Sequence, residues 1–311
     1  MKLGFGVPVS GSWATPENQV AIARGAEELG YASLWTFQRL LFPEEGAALD
    51  RRWSPSYRSV ADPLVTLAYL AAHTARIRLG VAVLNLPFYS PLLLAKSLTS
   101  LDLVSGGRLD VGLGLGWARE EYAATGAPYE GRGRRAEEFL ACLRAIWTED
   151  PAEFSGEFYE LPRAHVSPRP VQRPHPPVLL GGSAEAALRR AGRLTDGWIS
   201  GSGQDLESIG AAIGAVKAAA KEAGRDPESL RFVSRGVVRV RPAGREDRRP
   251  LTGSLEEIRA DLDVLRGRGV TELFVDLNFD RQLGAPDADP AESMRTAHEI
   301  LEALAPTPPR G

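Results

Sequence analysis

From Arg76 to Trp117 the chain reads apolar strand, helix, apolar strand. The run Ile77 to Leu84 has strand length and no apolar–polar alternation. It ends at Asn85, Leu86 and Pro87. A helical pattern follows from Ser90 to Val104, then a second strand, Arg108 to Gly112, opening into Gly112-Leu113-Gly114-Leu115-Gly116-Trp117. Strands without alternation are covered on both faces, which is the signature of a parallel sheet. Strand–helix–strand at this spacing is a βαβ unit. Both strands release small residues at their C-terminal ends, where parallel α/β folds bind ligands.

The pattern repeats along the chain. Strands are predicted at Leu3–Val7, Ser33–Phe37, Ile77–Leu84, Arg108–Gly112, Val178–Leu180, Gly197–Ser200, Leu230–Val240 and Glu272–Leu277. Helices are predicted over Ser12–Leu29, Asp62–Thr74, Ser90–Val104, Arg132–Trp147, from Ser183 to Leu194, Leu206–Ala223, Ser254–Arg268 and Asp289–Ala305. Asp62 followed by Pro63 is a helix start, an N-cap before proline at the first helical position. Eight βα units over 311 residues predict a single (β/α)8 barrel, a TIM barrel, spanning 1–311. An open doubly wound sheet would carry G-x-G-x-x-G after its first strand, and Pro8-Val9-Ser10-Gly11-Ser12 stands there instead. Two segments fall outside the pattern. One is an irregular loop, 38–61, expected at the active site; the other is a proline-rich excursion, 149–176, with no clear period.

Composition narrows the function. A net charge of -3 gives no nucleic-acid footprint. No apolar run approaches the roughly 20 residues of a membrane helix. Cys142, the single cysteine, cannot form an internal disulfide, and Met1-Lys2 leads straight into the first strand, so a cytoplasmic address is expected. The four histidines have no metal-ligand spacing, and no H-E-x-x-H, C-x-x-C or G-x-S-x-G occurs. No metal site is expected. A metal-dependent barrel hydrolase would need His and Asp at strand ends, and only Asp196 and Asp276 are suggestive. Without an acid–base set of its own, such a barrel points to chemistry carried by a cofactor.

Gly181-Gly182-Ser183 ends a strand and opens a helix. It reads either as a phosphate cradle, with free N–H groups and the helix dipole facing an anion, or as a tight turn whose glycines only make room. Gly112-Leu113-Gly114-Leu115-Gly116 is not a dinucleotide fingerprint, since its spacing is G-x-G-x-G. It permits close backbone approach, with Trp117 as a wall or an anchor. Asn85 either projects into the pocket or merely ends its strand.

In order along the chain, these motifs resemble one family. Its bearers are Ala26-Glu27-Glu28-Leu29-Gly30-Tyr31-Ala32-Ser33-Leu34-Trp35, the Arg76–Asn85 strand, Leu103-Val104-Ser105-Gly106-Gly107-Arg108, Gly112 to Trp117, Phe154 to Tyr159, Pro176 to Gly182, and Ala191 to Trp198. Together they are similar to the bacterial luciferase-like superfamily of flavin- and deazaflavin-dependent oxidoreductases, strongly over residues 1 to 200 and more loosely beyond. The resemblance implies a cis peptide at Ala82–Val83 behind the cofactor ring, with Asn85 beside it. It implies Gly181, Gly182 and Ser183 at the phosphate, and Gly114, Leu115 and Gly116 at the ribityl chain or the pocket rim. Many relatives end strand two with an acidic residue and a histidine; here Phe37-Gln38-Arg39 stands at that place. Gln38 can hydrogen-bond a ring carbonyl but cannot move a proton at neutral pH. Arg39 stabilises an anionic reduced ring or a polar tail, unless it lies on the surface. The catalytic residue is therefore open, with Gln38, Arg39 and Asn85 as candidates.

The expected function is hydride transfer between C5 of coenzyme F420 and a small organic substrate, in a pocket of Phe5, Phe37, Trp53, Tyr57 and Trp117. A monooxygenase using reduced FMN, supplied by a reductase, is the alternative, and a non-catalytic flavin-binding barrel is the second. Relatives often dimerise, so a homodimer is a further expectation.

Overall fold

The structure is a computed structural model and describes residues 1–44 and 53–306. Eight parallel strands close into a barrel: β1 (Lys2–Gly6), β2 (Ser33–Thr36), β3 (Arg78–Asn85), β4 (Leu109–Gly114), β7 (Val178–Gly181), β8 (Gly197–Ile199), β9 (Arg231–Val237) and β12 (Glu272–Asp276). Around it lie α1 (Pro16–Glu28), α2 (Pro63–Ala71), α3 (Pro91–Val104), α5 (Arg132–Thr148), α6 (Glu185–Leu194), α7 (Ile209–Glu222), α8 (Leu255–Gly267) and α9 (Pro290–Ala303). The predicted (β/α)8 barrel is thus the observed fold. Several helices start on the same device, a capping oxygen followed by proline: Thr15-Pro16, Asp62-Pro63 and Asp289-Pro290. At Asp62, Oδ1 accepts from the amides of Leu64 and Val65 at 2.9 and 3.0 Å, satisfying two donors the helix cannot.

Three further pieces were not foreseen. A short helix, α4 (Arg119–Thr125), follows β4. The excursion contains an antiparallel hairpin, β5 (Ala152–Ser155) with β6 (Glu160–Ala164), too short for a period-2 pattern to stand out. It runs along α5, whose Glu138 carboxylate accepts from the amides of Glu157 and Phe158. A two-residue pair, β10 (Arg239–Val240) with β11 (Thr252–Gly253), splits the end of the predicted seventh strand into a separate piece. Of the 38–61 loop, residues 45–52 lie outside the described residues.

Inside the barrel the side chains stack in tiers. The lowest tier is ionic. Asp110, fully buried, accepts from Arg78 (2.6 and 2.9 Å) and Arg231 (2.6 and 3.2 Å). Arg231 also reaches Glu272 at 3.1 Å, and Glu272 takes the Ser33 hydroxyl. Above this tier Trp35 stacks on Phe274 with ring centroids 5.3 Å apart. Trp35 fits because its neighbour is Gly80: a Cβ there would sit 2.5 Å from the indole.

Burial alone would push the Asp110 carboxyl up, but hydrogen bonds from Arg78 and the charge of Arg231 override it and hold the group below the ordinary carboxylate range. A depressed folded-state pKa adds stability above the unfolded value, near pH 4. That stability is lost as pH falls through the lower folded value. Asp110→Asn should therefore flatten the acid limb of a stability–pH curve. At neutral pH it should cost about 1.5–3 kcal/mol, since it removes the charged acceptor of Arg78 and one of the two carboxylates that hold Arg231; denaturant unfolding at several pH values measures both.

Candidate active site

The C-terminal ends of the barrel strands surround the candidate site. On β3 the pairing with β4 shifts register between Val81 and Leu84, and the Ala82–Val83 peptide is cis. The bulge turns Val83 into the barrel, where it stands beside two glycines. A Cβ on Gly114 would lie 2.5 Å from Val83 Cγ2 and one on Gly181 3.3 Å from Cγ1, whereas one on Gly112 would meet the Val81 carbonyl oxygen at 2.0 Å before it met Val83. The glycines at the ends of β4 and β7 thus make room for one side chain of β3. Gly116, with φ +73°, keeps its backbone against Asn85 and Phe88, and Leu115 is half-buried, its carbonyl accepting the Tyr122 hydroxyl.

The Asn85 side-chain amide is 5 % exposed and has no hydrogen-bond partner among the described residues. Its backbone amide donates to Gln38 Oε1 at 2.9 Å. That bond fixes the orientation of the Gln38 amide, so Nε2 points to the Tyr89 hydroxyl and donates to it. Gln38 therefore uses both ends of its amide to tie the segment after β2 to the tip of β3. Tyr89 Oη, accepting from Gln38, keeps its own proton available. Burial pushes the Tyr89 phenol up, and the Gln38 hydrogen bond only partly offsets it, so the group is protonated at neutral pH.

Arg39 is enclosed rather than open to a ligand. Its Nη1 pairs with Glu121 Oε2 at 2.9 Å, and its guanidinium carbon lies 4.5, 4.9 and 5.2 Å from the ring centroids of Tyr57, Trp117 and Trp53. Glu121 Oε1 also accepts from the amide of Leu40 at 2.7 Å. Burial raises the Glu121 pKa more than Arg39 and the loop amides lower it. Phe37, Tyr57 and Phe279 continue the aromatic group over the barrel, with centroids 5.3 to 6.1 Å apart. Four of the five expected pocket aromatics thus gather here. Phe5 does not: Gly4 and Gly6 face the barrel interior, so Phe5 between them points outward and packs edge-on against Tyr31. A one-residue parity in a strand decides the face.

At the end of β7, Gly182 (φ +131°) and Ser183 are exposed, and α6 begins on Ala184 with no side-chain cap. Its first amides keep their donor capacity toward the mouth. At the starts of α4 and α5, Arg119 and Arg132 clasp the Tyr129 ring from 4.0 and 3.9 Å, and neither has a carboxylate partner among the described residues. Asp196 accepts from the amide of Val178 at 2.8 Å, a structural bond at the base of β7. Among the described residues no group of His, Cys, Asp and Glu could hold a metal ion, and no helix is long and apolar enough to cross a membrane.

Sequence reasoning passed over Tyr89, Glu121 and Arg235, and singled out Asp276 without its partner Arg235 beneath the site. Arg235 did carry a signal: it is a charge within the otherwise buried run Phe232-Val233-Ser234-Arg235-Gly236. Glu121 lies on a helix that the sequence reading did not recognise.

Residues 4–259 match the luciferase-like monooxygenase family. An uncharacterised protein of Mycobacterium tuberculosis is 32% identical over 282 residues, covering 88% of this chain and 89% of its own length. The FMNH2-dependent dimethylsulfone monooxygenase of Pseudomonas putida is 39% identical over 160 residues, which span 50% of this chain and 44% of that enzyme. Among solved structures, monooxygenase RslO1 from Streptomyces bottropensis superposes with a TM-score of 0.78 at 24% identity, covering 98% of each chain. The coenzyme F420 dependent tetrahydromethanopterin reductase of Methanopyrus kandleri gives 0.74 at 16%, covering 98% and 97%. At these identities the two structures speak for the fold.

The clasp on Arg39 has a measurable worth. Glu121→Ala leaves a buried guanidinium without its partner and should cost about 3–5 kcal/mol. Glu121→Gln, which keeps an acceptor for Leu40, should cost less. Thermal and denaturant unfolding of the two variants give the comparison, and equal stabilities would refute the assignment.

Proposed function

Since the chain belongs to the luciferase-like monooxygenase family, whose members are oxidoreductases, we propose that it is an oxidoreductase using coenzyme F420 on a small organic substrate. The fit of a flavin-type coenzyme is supported by the site itself. Val83 is turned into the barrel, the Asn85 side-chain amide has no hydrogen-bond partner among the described residues, and the uncapped start of α6 faces the same mouth. In this reading Val83 and Asn85 lie against the ring, and the amides from Gly182 to Glu185 take the phosphate. Arg119 and Arg132 carry the choice of coenzyme. Two arginines with no carboxylate partner among the described residues suit a tail with several negative charges, such as the glutamyl tail of F420, better than the single phosphate of FMN.

When bound, the deazaflavin supplies the hydride acceptor or donor. The chain orients the substrate and excludes water beneath the aromatic group of Phe37, Tyr57 and Trp117. Tyr89 holds the proton: its hydroxyl is protonated at neutral pH and fixed by Gln38. It takes the place of the acidic–histidine pair that this chain lacks after β2.

A second reading, an FMNH2-dependent monooxygenase, is favoured by one observation, the 39% identity to the Pseudomonas putida enzyme over half of this chain. The two readings separate on binding. Titrating the purified protein with F420 and with FMN should show the tighter complex with F420. Arg132→Ala should weaken F420 about tenfold, or about 1.4 kcal/mol, and leave FMN within error. Tighter binding of FMN, untouched by the substitution, would favour the second reading. Tyr89→Phe should lower kcat about a hundredfold at unchanged coenzyme affinity; single-turnover hydride transfer against aldehydes and enones is the assay.

A further inference from the structure

β9 and β3 face each other across the barrel, four places apart in the strand order in either direction. Arg235 bridges that bore. From β9 its Nη2 donates to the carbonyl oxygen of Ala82, the residue before Val83 on the opposite wall. Its Nε lies 3.4 Å from Asp276 Oδ2 on β12. The guanidinium carbon stands 5.1, 5.4 and 5.5 Å from the ring centroids of Phe37, Phe279 and Phe274. Both ends of the pair are anchored. The Arg235 amide donates to Ser200 Oγ at 3.0 Å, and Asp276 Oδ1 accepts from the backbone and side-chain amides of Asn278 at 3.0 and 2.9 Å.

The two side chains are 6 % and 1 % exposed, and neither Arg235 Nε nor Asp276 Oδ2 has a hydrogen-bond partner among the described residues. Burying an ion pair with incomplete hydrogen bonding is expensive, and an apolar side chain of the same length would fill the bore at lower cost. A charge in that place needs a reason other than packing. The contact it makes supplies one. A main-chain carbonyl in the bulge of β3 is released from the ladder where the register shifts, and Arg235 satisfies it from across the barrel.

We infer that Arg235 is a positioning residue: it holds the Ala82 carbonyl and thereby sets where Val83 stands in the site, while Asp276 keeps the guanidinium aimed. The link to a bound coenzyme rests on the function proposed above, and the test has an arm that needs no coenzyme. In the free protein, amide hydrogen exchange at residues 82–85 should rise about tenfold in Arg235→Met, with the core amides of α7 unchanged. Arg235→Lys should give a smaller local rise, because an ammonium reaches the carbonyl without the rigid fork. Asp276→Asn should fall between the two. In the loaded protein, Arg235→Met should weaken the coenzyme about tenfold and shift its visible absorption maximum, with Arg235→Lys partly restoring both.

Wild-type exchange at 82–85 overturns the inference. So does an equal rise throughout the barrel, which would make Arg235 a strut for stability alone. A local rise with unchanged coenzyme affinity and spectrum overturns the positioning of the ligand. Should Arg235→Met not fold, Arg235→Lys carries the same measurements, and unchanged exchange there overturns the inference as well. Failure of the wild-type protein to bind either F420 or FMN refutes the proposed function, while the exchange result still decides whether Arg235 holds Ala82.

Discussion

A closed eight-stranded barrel has an interior of fixed width, and each strand sends alternate side chains into it. Everything in this protein follows from how that limited space is shared. Trp35 occupies the middle tier because Gly80 gives up its side chain. Val83 enters the upper tier because Gly114 and Gly181 do the same. The remaining room at each end is taken by charge: Asp110 with Arg78 and Arg231 below, Arg235 with Asp276 above. The lower cluster is fully hydrogen-bonded and closes the base. The upper pair is not, and it lies under the site. This difference between the two ends is what separates a structural floor from a working face.

Much of the fold was legible in the sequence because it rests on local signals. Unalternating strands, capped helix starts such as Asp62-Pro63, and regular spacing all speak for the barrel. The site was less legible, since its side chains act across long sequence distances. Gln38 and Asn85 meet only because β2 and β3 are neighbours. Arg39 needed α4 to be recognised before Glu121 could be seen as its partner. Phe5 failed on a single step of parity, which hydrophobicity cannot reveal in a strand buried on both faces. The glycines of Gly112 to Gly116 were read as facing a ligand. In the structure Gly112 faces the Val81 carbonyl and Gly114 faces Val83, and only the fold shows which group a glycine is yielding to.

The candidate site has few groups that can move a proton. Asp276 is held by Arg235, Glu121 by Arg39, and Gln38 cannot titrate. Tyr89 remains, with its oxygen accepting from Gln38 and its own hydrogen uncommitted. A site of this kind works by shape and placement more than by acid–base power, which agrees with a family whose chemistry is carried by a bound ring. Under the proposed function, the surrounding aromatic side chains set what lies flat above Val83 and keep water away from it.

The clasp of Arg39 on Glu121 also bears on how such a barrel can diversify. The segment after β2 and the segment after β4 are separate in sequence, yet they share one buried ion pair and one aromatic cluster. Neither can be exchanged for a differently shaped segment without stranding a charge in the other. For this chain the two segments form a single physical unit: a new pocket wall would have to arrive as a matched pair, because a change in one alone costs stability before it alters the pocket.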